Sequence, residues 1–190
     1  MTDMAESAIR ATRAWVEQVV VGYQLCPFAR TPFKQNTIRY VSAADRKVSS
    51  VKTTFLAECK YLDEKQVSEV STTLLILTGA FQDFFTFWEL VGKAEEWLEE
   101  AGYAGLFQVA SFHPDYIFAE ATTEAAQNYT NRSPWPMLHL IREDELETAI
   151  KSHPDIEAVP QRNIELMESK GKDHWKKVLK EIKIQAQATK

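Results

Sequence analysis

Side chains that bind or move charge are concentrated between Ser111 and Glu143. His113, with Asp115 two residues on, and His139 are candidates for proton transfer, because imidazole titrates near neutral pH and a carboxylate can orient it. The same two histidines would form a metal or proton-transfer pair if the strands they border lie side by side. Their spacing matches no standard zinc pattern, so Cys26 or Asp115 would have to complete a divalent-metal site from distant sequence. Arg132 and Arg142 suit a carboxylate or phosphate, since each guanidinium offers two parallel donors and never loses its charge. Asn128, Asn131 and Cys26 could add polar contacts to such an anion, and Arg30 and Lys34 more charge. The ordinary alternative is structural: His113 bonds a loop carbonyl, His139 is a satisfied interior ring, Arg142 pairs with Glu143 or Asp144, and Arg132 braces the loop.

Other motifs carry less. Ser133-Pro134-Trp135-Pro136 holds an extended backbone into the next element and is a place where proline makes a cis bond accessible. Cys26-Pro27-Phe28-Ala29 is similar to the start of a glutaredoxin-type site, but it follows a helix rather than a strand and lacks a resolving cysteine, so a small buried thiol in a turn is the better reading. No Gly-x-Gly-x-x-Gly, phosphate-loop or Gly-x-Ser-x-Gly element occurs. Phe81, Phe84, Phe85, Phe87 and Trp88 read as core packing at helical spacing.

The elements that must position these residues follow from periodicity. Residues 4–23 carry a 3.6-period apolar stripe from Ala8 through Trp15 to Val20. Thr37–Val41 alternates as a first strand, and Val48, Val51, Phe55, Cys59 and Leu62 recur as a helix. Thr72–Thr78 is a continuous apolar run suited to a central strand covered on both faces. Asp83–Ala101 is a helix with Gly102 as its C-terminal cap. Leu106–Ala110 and Met137–Ile141 are the third and fourth strands. The order is α-β-α-β-α-β-β-α-α, the closing helical stretch divided among Glu143–Lys151, Pro160–Ser169 and His174–Gln187. This predicts an α/β fold, a single domain over residues 1–190, with about four strands in a mostly parallel or mixed sheet flanked by helices. The first three strands, joined by helical crossovers, should run parallel with their carboxyl ends on one edge, where open α/β sheets place ligands. The 26 residues from Ser111 to Pro136 lack periodicity and leave from that edge.

Four stretches resemble the domain of unknown function 1415 family: Leu25-Cys26-Pro27-Phe28-Ala29, Ser111-Phe112-His113-Pro114-Asp115-Tyr116, Asn128 through Glu143, and Pro160-x-Arg162-Asn163-Ile164. The likeness spans roughly residues 8–183, with Trp135 standing where the family pattern has Tyr. It implies no particular reaction. It places emphasis on Cys26, His113, Asp115, Asn131, Arg132, His139, Arg142 and Arg162.

Composition bounds the rest. Twenty-two basic against 27 acidic residues give a net charge of -5, which attracts no phosphate backbone. Nucleic acid is therefore not expected as a partner, and the lysines from Lys170 to Lys183 read as a solvated helix face. No stretch reaches the roughly 20 apolar residues of a membrane span, Met1–Ala14 has no secretory pattern, and two cysteines indicate no disulfide framework. A cytoplasmic protein is expected. The leading expectation is an enzyme acting on a small anionic metabolite, with Arg132 and Arg142 holding the anion and His113 as acid or base. The competing one is a non-catalytic binding or interaction module whose long loop is only braced by these groups.

Overall fold

The computed structural model describes residues 3–188; the terminal residues of the 1–190 range, and the start of the Met1–Ala14 reading, lie outside it. Helix α1 (Asp3–Trp15) buries Ala8, Ala11, Thr12 and Trp15, and a π-helical segment, Val16–Val21, extends the stripe through Val16 and Val19. A short helix, α2 (Arg30–Gln35), precedes β1 (Ile38–Ala43). Then come α3 (Val48–Glu64), β2 (Thr72–Leu77), α4 (Phe84–Glu100), β3 (Phe107–Phe112), β4 (Met137–Arg142), α5 (Glu143–Ser152), α6 (Val159–Lys170) and α7 (Lys172–Ala188). No helix of the described residues is long and apolar enough to cross a membrane.

The sheet is mixed, in the order β1-β2-β4-β3. β1 and β2 are parallel, and β4 is antiparallel to both β2 and β3. The first three strands therefore share a direction as expected, and β4, inserted antiparallel between the second and third, makes the sheet mixed. The more apolar strand takes the centre: Met137, Leu138 and Leu140 of β4 are fully buried, whereas β3 and β1 at the edges are only half-buried. As predicted, β2 is covered on both faces.

The pleat divides the strand residues between two cores. Leu75, Leu77, Leu138, Leu140 and Phe107 face α3 and α4, against Phe55, Leu62, Phe87 and Trp97. Leu74 and Met137 face the other way, against Trp15 of α1, Met167 of α6, and Trp175 and Ile182 of α7. The result is three layers, helices over both faces of the sheet. A bidentate pair pins α3 to β1, Arg39 Nε and Nη2 donating to Glu58 at 2.7 and 3.1 Å. Asp83 caps α4 by accepting from the Thr86 N–H at 2.9 Å, and Gly102, at φ 76°, ends it in the left-handed conformation.

Within the aromatic run of α4, Phe81, Phe84 and Phe87 are core residues, but Phe85 is 70% and Trp88 50% exposed. Five aromatics within eight residues exceed what one buried helix face holds, so the run does not pack as a whole.

Candidate functional site

β3 and β4 are neighbours that a two-residue hairpin could join. The chain instead makes an excursion from His113 to Pro136, and side chains hold its backbone. Asn128, fully buried, accepts from the Phe118 N–H at 3.2 Å and donates to the Thr122 carbonyl at 2.8 Å. Arg132 donates from Nε to the Tyr116 carbonyl at 3.1 Å and from Nη2 to that of Thr123 at 2.8 Å, its guanidinium 4.7 Å from the Tyr129 ring centre. Asn131 donates to the Ser111 carbonyl at 3.4 Å, and a 3₁₀ turn, Ala126–Thr130, runs through the middle. The peptide bonds of the described residues are all trans, so Ser133–Pro136 holds its extended course without the cis bond. The Ser133 hydroxyl helps by donating to the Trp135 carbonyl at 2.7 Å.

His113 is sealed inside this architecture. Its ring lies 5.5 Å from Phe84 and 5.1 Å from Phe87 between ring centres, with no exposed surface. Nδ1 accepts from the Asp115 N–H at 3.0 Å, which assigns the proton to Nε2, and Nε2 donates to the Phe81 carbonyl at 3.1 Å. Both nitrogens are occupied, and burial holds the pKa below the usual imidazole value. The carbonyl it grips belongs to a bulky residue at φ 66°, a conformation that costs energy and needs such a clamp. The Asp115 carboxylate is exposed, and only its backbone reaches the ring.

His139 sits elsewhere. It pairs with Ala110 and Leu74 on the α1/α7 face, its Nε2 2.7 Å from the Thr72 hydroxyl. That hydroxyl also donates to the Leu140 carbonyl, so its oxygen accepts the His139 proton. Desolvation pushes the His139 pKa down to about 4. The two strands do pair, but Phe107 and Val109 set the odd-numbered residues of β3 against α4 while Ala110, opposite His139, faces away. The histidines therefore lie on opposite sides of the sheet, which corrects the expected pair. Among the described residues no group of three or more His, Cys, Asp or Glu is placed to hold a metal.

Arg142 is also removed from the loop. At the far end of β4, on the order of 17 Å along a six-residue strand, it donates to the carbonyls of Leu62, Lys65 and Val70. It closes the C-terminal end of α3 and does not join Arg132 around one anion, nor does it pair with Glu143 or Asp144.

Arg132 acquires different company. The loop and α7 enclose a groove of about 690 Å³, within the range of small-molecule sites. Pro114, Asp115 and Ser133 place it beside the carboxyl end of β3, an edge strand. Its basic residues are Arg132, Lys172, Lys176, Lys180 and Lys183, and its acidic ones Asp115, Glu124 and Asp173. Lys172 pairs with Glu124. The four lysines step along α7 by four, four and three residues, one helix face. Lys177, off that face, pairs with Glu181. Lys183 lies partly buried, 5.8 Å from the Trp135 ring centre, and desolvation lowers its pKa against the pull of Asp115. This wall was readable from the lysine spacing, yet the spacing alone does not say what faces it.

A family model described as a protein of unknown function (DUF1415) matches residues 7–177. The chain belongs to this family. No curated protein and no solved structure matches it. In this DUF1415 chain the four stretches noted in the sequence gather into two places. Ser111–Tyr116 and Asn128–Pro136 build the ends of the braced loop, with Met137–Glu143 leading away from it along β4, and residues 25–29 meet Arg162 and Asn163 beside a smaller cavity. His153, which lines that cavity, carries no sequence signal that would have singled it out.

Proposed function

We propose that this DUF1415 protein binds a compact, multiply charged anion of the phosphate-ester type in the groove between the 113–136 loop and α7. The observation that supports this reading is the lysine stripe of α7 facing Arg132 across a groove of ligand size: five cations and three carboxylates in a chain of net charge -5. Local charge of opposite sign to the whole molecule concentrates anions at one place. The proposal keeps Arg132, Asp115 and a small anionic partner from the sequence reading and assigns no proton transfer to His113, whose nitrogens are both bonded. It is a binding function, to which Asn128 and Asn131 contribute by holding the loop.

Titration calorimetry with inorganic tripolyphosphate at low ionic strength tests it. Saturable binding is expected, weakened about tenfold by Lys176→Gln/Lys180→Gln/Lys183→Gln, since each solvent-screened charge contributes up to about 1 kcal/mol and tenfold is about 1.4 kcal/mol in all. Lys177→Gln should leave the affinity unchanged. No binding by the wild type, or equal binding by the triple variant, would overturn the assignment.

A further inference from the structure

Away from the groove, the turn after the first helix is built at unusual conformational cost. The π-helical segment Val16–Val21 leads into it, a rare geometry that is frequent at functional sites. Gln24 then takes a left-handed conformation at φ 57°, unfavourable for a side-chain-bearing residue. Two side chains of α6, 138 residues away in sequence, clamp the result: Arg162 Nη2 donates to the Gln24 carbonyl at 2.9 Å and Asn163 Nδ2 to that of Leu25 at 2.7 Å. Strain persists only where its surroundings over-determine it, and here the clamps come from a different element.

The clamped turn encloses a cavity of about 220 Å³, smaller than a drug-sized site. Cys26, Arg30, His153 and Arg162 line it, and no carboxylate does. Arg162 spends Nη2 on the backbone, leaving Nε and Nη1. His153 Nδ1 is buried without a hydrogen-bond partner. Burial raises the Cys26 pKa against the opposing pull of the Phe28 and Ala29 backbone N–H groups, so the group at the cavity wall is a thiol.

We propose that this cavity is a second binding site, taking a compact oxyanion of carboxylate or phosphate type between Arg30 and Arg162, with the Cys26 thiol and the His153 ring against it. Two guanidiniums with no competing carboxylate supply the charge, and the strained turn supplies the shape. The proposal stands independently of the groove.

Cys26 is its own reporter. Iodoacetate carries the carboxylate that the arginines would hold, whereas iodoacetamide is neutral and otherwise similar, and Cys59, with no exposed surface, is an internal control. The iodoacetate-to-iodoacetamide rate ratio at Cys26, read by peptide mass spectrometry, should exceed that of free cysteine by about tenfold, the lower end of what a charged cleft adds to local anion concentration. Arg30→Gln, which alters an exposed side chain outside the clamps, should return the ratio to that of free cysteine. The lysine triple variant of the groove should keep the full preference. Protection of Cys26 by millimolar malonate but not inorganic phosphate would identify a carboxylate site, and the reverse a phosphate site. A wild-type ratio equal to that of free cysteine, or an unchanged ratio in Arg30→Gln, would overturn the proposal.

Discussion

His113 and His139 are equally conspicuous in the sequence, and the structure gives both neutral, bonded roles with a consequence for pH. Each is held below the usual imidazole pKa by burial, His139 to about 4. The unfolded chain, with histidine near 6.5, then binds more protons than the folded one between those values, so stability rises with pH across that window. The contribution is complete above about pH 6.5 and is lost as pH falls towards 4. For His139 the shift corresponds to about 3 kcal/mol at about 1.4 kcal/mol per pH unit. Urea unfolding at pH 7.5 and pH 5 should show a marked loss for the wild type and a smaller one for His139→Leu, which has no proton to gain. An identical loss in the variant would place the acid sensitivity in other groups. At this scale the structural alternative read from the sequence holds: His113 bonds a loop carbonyl, His139 is a bonded interior ring and Arg132 braces the loop, whereas Arg142 caps α3 in place of pairing with Glu143 or Asp144. Alternation along β3 and β4 was readable, but the register that sets Ala110 opposite His139, and so separates the two rings, depends on a strand pairing across a 24-residue excursion.

Among elements, β4 is the one whose place and direction the apolar pattern leaves open, and Arg142 shows why its placement matters. Because β4 runs against its neighbours, its last residue arrives where α3 ends, and the guanidinium ties the Leu62 carbonyl of the last turn to those of Lys65 and Val70 in the connection that follows. Removing it with Arg142→Ala should destabilise the protein by about 2–4 kcal/mol, since charge-assisted bonds to buried carbonyls are lost together. Hydrogen exchange should quicken first in the last turn of α3 and in residues 66–71, while the 113–136 loop keeps its protection and tripolyphosphate its affinity. Loss of binding in this variant would instead tie Arg142 to the groove. The strands and long helices were legible because their apolar periods are intact over 5 to 17 residues. The π-helical segment and α2 were not, being too short to show a period; the loop and its bracing by Arg132 were readable, but not its course, which is set by bonds from Asn128 and Arg132 to carbonyls chosen by tertiary folding.

For the whole molecule, α7 serves both core and groove: Trp175 and Ile182 are 1% exposed in the core beneath it, while Lys172, Lys176, Lys180 and Lys183 form the groove wall. The groove thus lies on one outer layer of a three-layer molecule whose opposite layer carries the unpaired carboxylates Glu95, Glu96 and Glu99 of α4 on its exposed face. Layers about 10 Å apart put these roughly 20–25 Å from a bound anion. At 10 mM salt the screening length is about 30 Å, so their repulsion reaches the groove; at physiological salt it is about 8 Å and does not. Glu95→Gln/Glu96→Gln/Glu99→Gln should therefore tighten tripolyphosphate binding about threefold at 10 mM salt, from Coulomb terms in water over that distance, and leave it unchanged at 150 mM. Calorimetry at the two salt concentrations separates the cases. Equal tightening at both would mean the substitutions act on the groove through the fold rather than through space. No change at 10 mM would mean the anion binds farther from α4 than the groove lies, and so at another site.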